Sequence, residues 1–103
     1  MKKLFSIVLL ILFSNSLLAK NESITNLFNE GDYFTIAEFV KTKKIYKQED
    51  ARLATIALFK INQFNEAIKI GLKVYRKYPD ISYIMGQSFY ALNKKSDAYR
   101  FFK

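Results

Sequence analysis

Apolar and polar residues alternate along this chain with a helical period, and the clearest stretch runs from Phe64 to Tyr78. There Phe64, Ala67, Ile68, Leu72, Val74, Tyr75 and Tyr78 recur mostly at steps of three and four, while Lys69, Lys73, Arg76 and Lys77 fall between them. That pattern predicts a helix with one buried face and a wet, basic opposite side. Strand signals are almost absent, and proline and glycine are confined to Pro79, Gly31, Gly71 and Gly86, so long helices can form with few interruptions. Pro79 cannot continue a helix, and Asp80 or Ser82 can cap the next one.

The same reading gives about six helices in three antiparallel pairs: 21–30 with 33–45, 48–61 with 64–78, and 81–92 with 95–103. The segments EGDYFTIAEFV (30–40), INQFNEAIKIG (61–71) and LNKKSDAYRFF (92–102) echo one another at a spacing of 31 residues. Gly31, Asn62 and Asn93 fall in step, as do Ile36, Ala67 and Ala98. Glycine and asparagine are the residues that best tolerate a positive φ, so the echo predicts the same left-handed turn inside each pair. A period of this size reads as stacked helical hairpins, each too small to bury its apolar face alone.

At the turns the residues resemble the tetratricopeptide repeat. The run Asn62-Gln63-Phe64-Asn65-Glu66-Ala67-Ile68, with Pro79 beyond it, is similar to the second half of one unit: a turn residue, an aromatic, a small alanine and a closing proline, in that order. Glu30-Gly31-Asp32-Tyr33 resembles the same turn in a preceding unit, and Met85-Gly86 with Phe89 and Tyr90 resembles the first helix of a following one. The period departs from the family's, which is about 34 residues. Ile36 stands where the alanine is expected, Lys95 where the aromatic is expected, and Gly71 where a bulky residue is usual. The resemblance implies an all-α fold, a short α-solenoid of antiparallel helix hairpins. It also implies a concave face lined by the first helix of each pair, holding Arg52, Ile56, Phe59 and Lys60 in the middle unit, Tyr83, Gln87 and Tyr90 in the third, and Phe28 with Thr25 and Asn29 in the first. Aromatic faces beside cationic heads suit an extended peptide or an acidic C-terminus of a partner. The plainer role for Phe28 and Phe59 is to close the seams between hairpins.

Ahead of the repeats, Lys2 and Lys3 precede an apolar run from Leu4 to Phe13 and the more polar tail Ser14-Asn15-Ser16-Leu17-Leu18-Ala19. This tripartite layout predicts a signal peptide over residues 1–19, cut after Ala19, and a helical repeat domain over 20–103. An uncleaved membrane anchor is the alternative, but Leu4 to Ala19 falls short of the roughly 20 residues that cross a bilayer. The predicted location is periplasmic or secreted. Cysteine is absent, so an exported domain this small must rely on helix packing rather than disulfides.

The formal net charge is +8. Such a balance favours acidic partners in general, although lysine is also the ordinary solvated residue in a chain rich in Lys, Ile, Asn, Phe and Tyr. Lys41, Lys43, Lys44 and Lys47 cluster where the second helix should end and suit the negative end of its dipole. Histidine and cysteine are both missing, which removes Ser-His and Cys-His nucleophile systems and the common zinc ligand sets; no phosphate-cradling glycine loop is present. The sequence therefore predicts no enzyme, no cofactor and no metal. It predicts a scaffold or adaptor that binds another cell-envelope protein or peptide segment. The alternative is a basic envelope protein that binds a polyanion, whether DNA, anionic lipid or cell-wall polymer, with nucleic acid the weakest of these. The last helix, whose run Ala98-Tyr99-Arg100-Phe101-Phe102 carries aromatics that need a neighbour, is expected either to be covered by a second copy or another partner or to belong to a longer repeat protein.

Overall fold

The computed structural model describes residues 23–43, 45 and 47–102. The predicted signal segment lies outside the described residues, as does Lys44. Six helices follow in order: α1 (Ile24–Asn29), α2 (Tyr33–Thr42), α3 (Gln48–Lys60), α4 (Phe64–Gly71), α5 (Pro79–Ala91) and α6 (Lys95–Phe102). No strand occurs among the described residues, and the fold class is all-α. Nor, among those residues, is any helix long and apolar enough to cross a membrane.

Local chemistry explains most of the boundaries. Ser23 caps α1 by accepting from the Asn26 backbone N–H at 3.2 Å. Asp32 caps α2 through the Thr35 N–H, and Thr35 returns its hydroxyl proton to Asp32 Oδ2 at 2.7 Å. Between them the chain reverses through Gly31 at φ 75°, and Asn62 and Asn93 take φ 64° and 61° at the corresponding places. Each of these residues donates its N–H three positions back, to Phe28, Phe59 or Tyr90, and the following residue donates five positions back, to Leu27, Leu58 or Phe89. All six bonds measure 2.9–3.0 Å. This is the Schellman end of a helix, made three times at the same 31-residue spacing. The expected left-handed turn is present in all three pairs.

Two expected helix ends are wrong. α2 stops at Thr42 rather than at residue 45, with Lys43 extended and the Thr42 hydroxyl bonded back to the Glu38 and Phe39 carbonyls. Lys41 and Lys43 thus sit at the end of α2, whereas Lys47 opens α3. α4 stops at Gly71 rather than at residue 78 and passes into a partly tightened coil, in which Lys73, Val74 and Lys77 donate to Ile70, Gly71 and Val74, three positions back, while Tyr75 and Tyr78 still donate four positions back, to Gly71 and Val74. The tighter winding shifts the register. Leu72, which the period places on the buried face, is half exposed, while Val74 is turned inward. Pro79 opens α5 as its first residue, where its missing N–H costs nothing. Neither Asp80 nor Ser82 caps that helix: the cap position is Tyr78, Asp80 binds Arg52, and the Ser82 hydroxyl donates to the Phe101 carbonyl at 3.1 Å.

Packing is between near neighbours. Each helix contacts the next in sequence, and α3 also lies directly against α1 and α5. No comparable contact joins α2, α4 and α6 to one another among the described residues. The core accordingly forms as linked clusters. Ile24, Leu27, Ile36, Leu53, Ala54 and Ala57 fill the space between α1, α2 and α3. Ala51, Val74, Ile81 and Met85 fill that between α3, the coil after α4, and α5. Ala37, Leu58 and Ala67 hold α2, α3 and α4 together, and Ile70 packs against all three clusters. Each large aliphatic side chain fully buried here, such as Ile36, Leu58 or Ile81, contributes about 1.5–3 kcal/mol.

Small residues set how closely the helices approach. Gly71 faces α3 and α5, and a methyl group there would lie 2.5 Å from Met85 Sδ and 3.1 Å from Thr55 Cγ2. That is why a glycine occupies a position where the resemblance expects bulk. Ser88 is fully buried on α5 and its hydroxyl has no partner among the described residues.

Two outcomes follow from these positions. Asn62→Gly should leave stability unchanged or raise it slightly, whereas Asn62→Ala should lower it by about 1 kcal/mol because alanine pays the full left-handed cost, measured by urea unfolding. Ser88→Ala should raise the melting temperature, since it removes a buried polar group worth about 1 kcal/mol unpaired and places there the residue found 31 positions earlier, Ala57.

Candidate partner-binding surface

The eight residues expected to meet a partner fall on α1, α3 and α5, with α3 packed between the other two. Arg52, Ile56 and Phe59 stand four and three residues apart on α3, as do Tyr83, Gln87 and Tyr90 on α5, so each set follows one helical stripe. Their surroundings differ, and the differences separate packing roles from free surface.

Phe28 and Phe59 are half-buried against the core and serve the turns. Phe28 tilts against Tyr33 with ring centroids 5.5 Å apart, and Phe59 meets Phe64 edge-on at 5.8 Å. The two pairs are related by the 31-residue spacing and do the same thing, bracing the helices on either side of a left-handed turn. In the third turn Lys95 replaces the second aromatic. Tyr90 therefore lacks that aromatic cover and remains 51% exposed.

Arg52 is committed within the chain. Its Nε donates to Asp80 Oδ2 at 2.9 Å, its Nη2 reaches the same oxygen at 2.6 Å, and its Nη1 pairs with Glu49 at 2.9 Å. The guanidinium also lies over the Tyr78 ring, 5.6 Å from its centroid. The hydrogen bond to Asp80 raises the Arg52 pKa above its ordinary value, against the smaller opposing effect of desolvation. Beside it Lys77 donates to Gln48 at 2.8 Å, adding a second polar link between the start of α3 and the approach to α5. Arg52 thus fastens α5 to α3. Lys60 is exposed, with its ammonium 6.0 Å from the Tyr33 ring centroid, and Ile56 is half-buried among the apolar side chains shared by α3 and α5.

Most of the large exposed aromatics among the described residues, Tyr83, Tyr90, Tyr99 and Phe102, gather on α5 and α6. Tyr83 is 57% exposed and its hydroxyl accepts from Gln87 Nε2 at 2.8 Å, which fixes both side chains on the outer stripe of α5. Phe102 lies against Tyr83 at 5.8 Å and covers Gly86 so closely that a side chain there would overlap its ring. Tyr99 stands one turn before Phe102 and is also exposed. Phe101 points the other way, stacked on Phe89 at 5.4 Å and edge-on to Tyr75 at 5.0 Å. Of the aromatics that close the chain, Phe101 finds its neighbour within the fold, while Tyr99 and Phe102 keep an open face. Phe34 was not anticipated: it is 69% exposed at the start of α2, where the corresponding residues are the polar Asn65 and Ser96.

Compared with known proteins, the chain matches no family model, no curated protein and no solved structure.

Losing the Arg52 arrangement has a measurable cost. Asp80→Asn should destabilise the fold by about 0.5–1 kcal/mol, as expected of a partly exposed ion pair, and the loss should shrink when urea unfolding is repeated in about 1 M salt. Glu38→Gln, which removes the exposed pair with Lys41, should cost little by comparison.

Proposed function

We propose that the six helices act as a short α-solenoid of antiparallel hairpins, tetratricopeptide-like in its turns, and that this stack is a scaffold binding another envelope protein. The observation that carries the reading is the aromatic stripe of α5. Tyr83 and Tyr90 stand half exposed on the helix that packs directly beside α3, with Gln87 holding the Tyr83 hydroxyl between them. Tyrosines on one helical stripe, one of them held by Gln87, offer a large contact area at low entropic cost, which suits an extended peptide laid across neighbouring helices. The thrice-repeated turn and the near-neighbour packing support the hairpin reading, and the resemblance rests on the chain's own residues alone.

Phe28, Phe59 and Arg52 then act as supports. They fix the spacing of the helices that present the contact residues, and their loss would disturb the fold as well as binding. Tyr83, Gln87, Tyr90 and Lys60 are the residues that would touch a partner. Export by residues 1–19 would place the scaffold in the periplasm or outside the cell.

The test is affinity capture from the envelope fraction with the full chain, comparing wild type with Tyr83→Ala and Tyr90→Ala. One defined partner should be recovered, with each substitution weakening it about tenfold or more while circular dichroism and melting temperature stay unchanged. Recovery that falls steeply as salt is raised and ignores both tyrosines would instead identify the polyanion reading. Amino-terminal sequencing of the same material should begin at Lys20; an intact Met1 would make the leader an anchor.

A further inference from the structure

α2 and α4 make no comparable contact with one another among the described residues, and a cavity of about 170 Å³ lies between residues of the two, lined by Val40, Lys43, Ile45, Ala51, Glu66, Lys69, Ile70 and Lys73. Its composition is divided. Val40 from α2, Ile45 from the connection, Ala51 from α3 and Ile70 from α4 supply an apolar lining. Lys43, Lys69 and Lys73 are all exposed, and none of them forms an ion pair with a carboxylate among the described residues. Ala51, buried where α3 begins, forms part of this lining.

We propose that this cavity binds a small amphiphilic anion, a phosphate or carboxylate head carrying a short aliphatic chain. The head is held among the ammonium groups of Lys43 just after α2, Lys69 on α4 and Lys73 in the coil that follows, and the chain lies against Val40, Ile45, Ala51 and Ile70. Three lysines and one glutamate give the lining a net charge of +2, which suits a single anionic head group. Lysine ammoniums act as mobile point charges, so they accept a phosphate or a carboxylate without demanding one planar geometry. The Lys43 ammonium, 5.7 Å from the Phe39 ring centroid, is the one held against its own helix. Such a ligand arrives either free or as the head of an anionic lipid. The site is separate from the tyrosine stripe of α5.

Titration of the isotopically labelled full chain with octyl phosphate, followed by NMR, tests the assignment, with inorganic phosphate as the headgroup-only probe. Octyl phosphate should shift the resonances of Val40, Ile45, Ala51 and Ile70 and bind at least tenfold more tightly than inorganic phosphate. Lys69→Gln with Lys73→Gln should weaken it about tenfold with the spectrum otherwise preserved, while Lys41→Gln, outside the cavity, should change nothing. Vesicles of phosphatidylcholine containing phosphatidic acid separate the sources: capture by them with the same dependence on Lys69 and Lys73 marks a lipid, and octyl phosphate binding without vesicle capture marks a free amphiphile. Equal affinity for the two phosphates, an unchanged affinity in the double variant, or vesicle capture with no shift at the four apolar residues would each overturn the proposal.

Discussion

The whole arrangement depends on reversing a helix in very few residues. A helix that ends with its carbonyls unpaired loses stability, and one that ends in a long loop cannot set its successor close alongside. Gly31, Asn62 and Asn93 solve both problems by taking a left-handed conformation, so that two N–H groups fold back onto the carbonyls of the last turn while the following helix begins only two residues on. Every later contact inherits its register from that choice. Phe28 meets Tyr33 and Phe59 meets Phe64 because the turn leaves each pair facing across it.

Once the turns are fixed, the small residues decide the spacing and the long polar ones decide the fastening. Ala37, Ala54, Ala57 and Ala67 let neighbouring helices come close enough for Ile36 and Leu58 to fill the gaps, and Gly71 admits Met85 where even a methyl group would intrude. Arg52 then reaches from α3 to Asp80 at the start of α5. These are different kinds of constraint. The apolar contacts are not screened by salt, whereas the Arg52 link is partly open to solvent and is weakened by it.

The turns were legible in the sequence because they depend on single residues with unusual backbone tolerance, and such residues announce themselves. The helix ends were less legible. Nothing in the period of Phe64 to Tyr78 distinguishes a regular helix from one that tightens after Gly71, because both place an apolar residue inward every three or four positions. Leu72 was misplaced for that reason. The candidate surface was legible as a set of positions but not as a set of roles. Arg52 and Tyr83 are equivalent by spacing, yet one is tied to Asp80 and the other stands in solvent, and only the position of a residue 28 places along the chain separates them. Phe34 left no periodic signal, since its counterparts are polar.

Gly71 and Phe102 occupy corresponding places, and so do Thr55 and Gly86, but the bulk has changed sides. In one contact the glycine lies on the second helix of the pair and faces Thr55; in the other it lies on the first helix and receives the Phe102 ring. The single helices are therefore not interchangeable parts. Exchanging α4 with α6 would bring the Phe102 ring against Thr55 and set Gly71 opposite Gly86, a clash at one contact and a hole at the other, so a shuffled version of this chain would hold together only if both members of each size-matched couple travelled together.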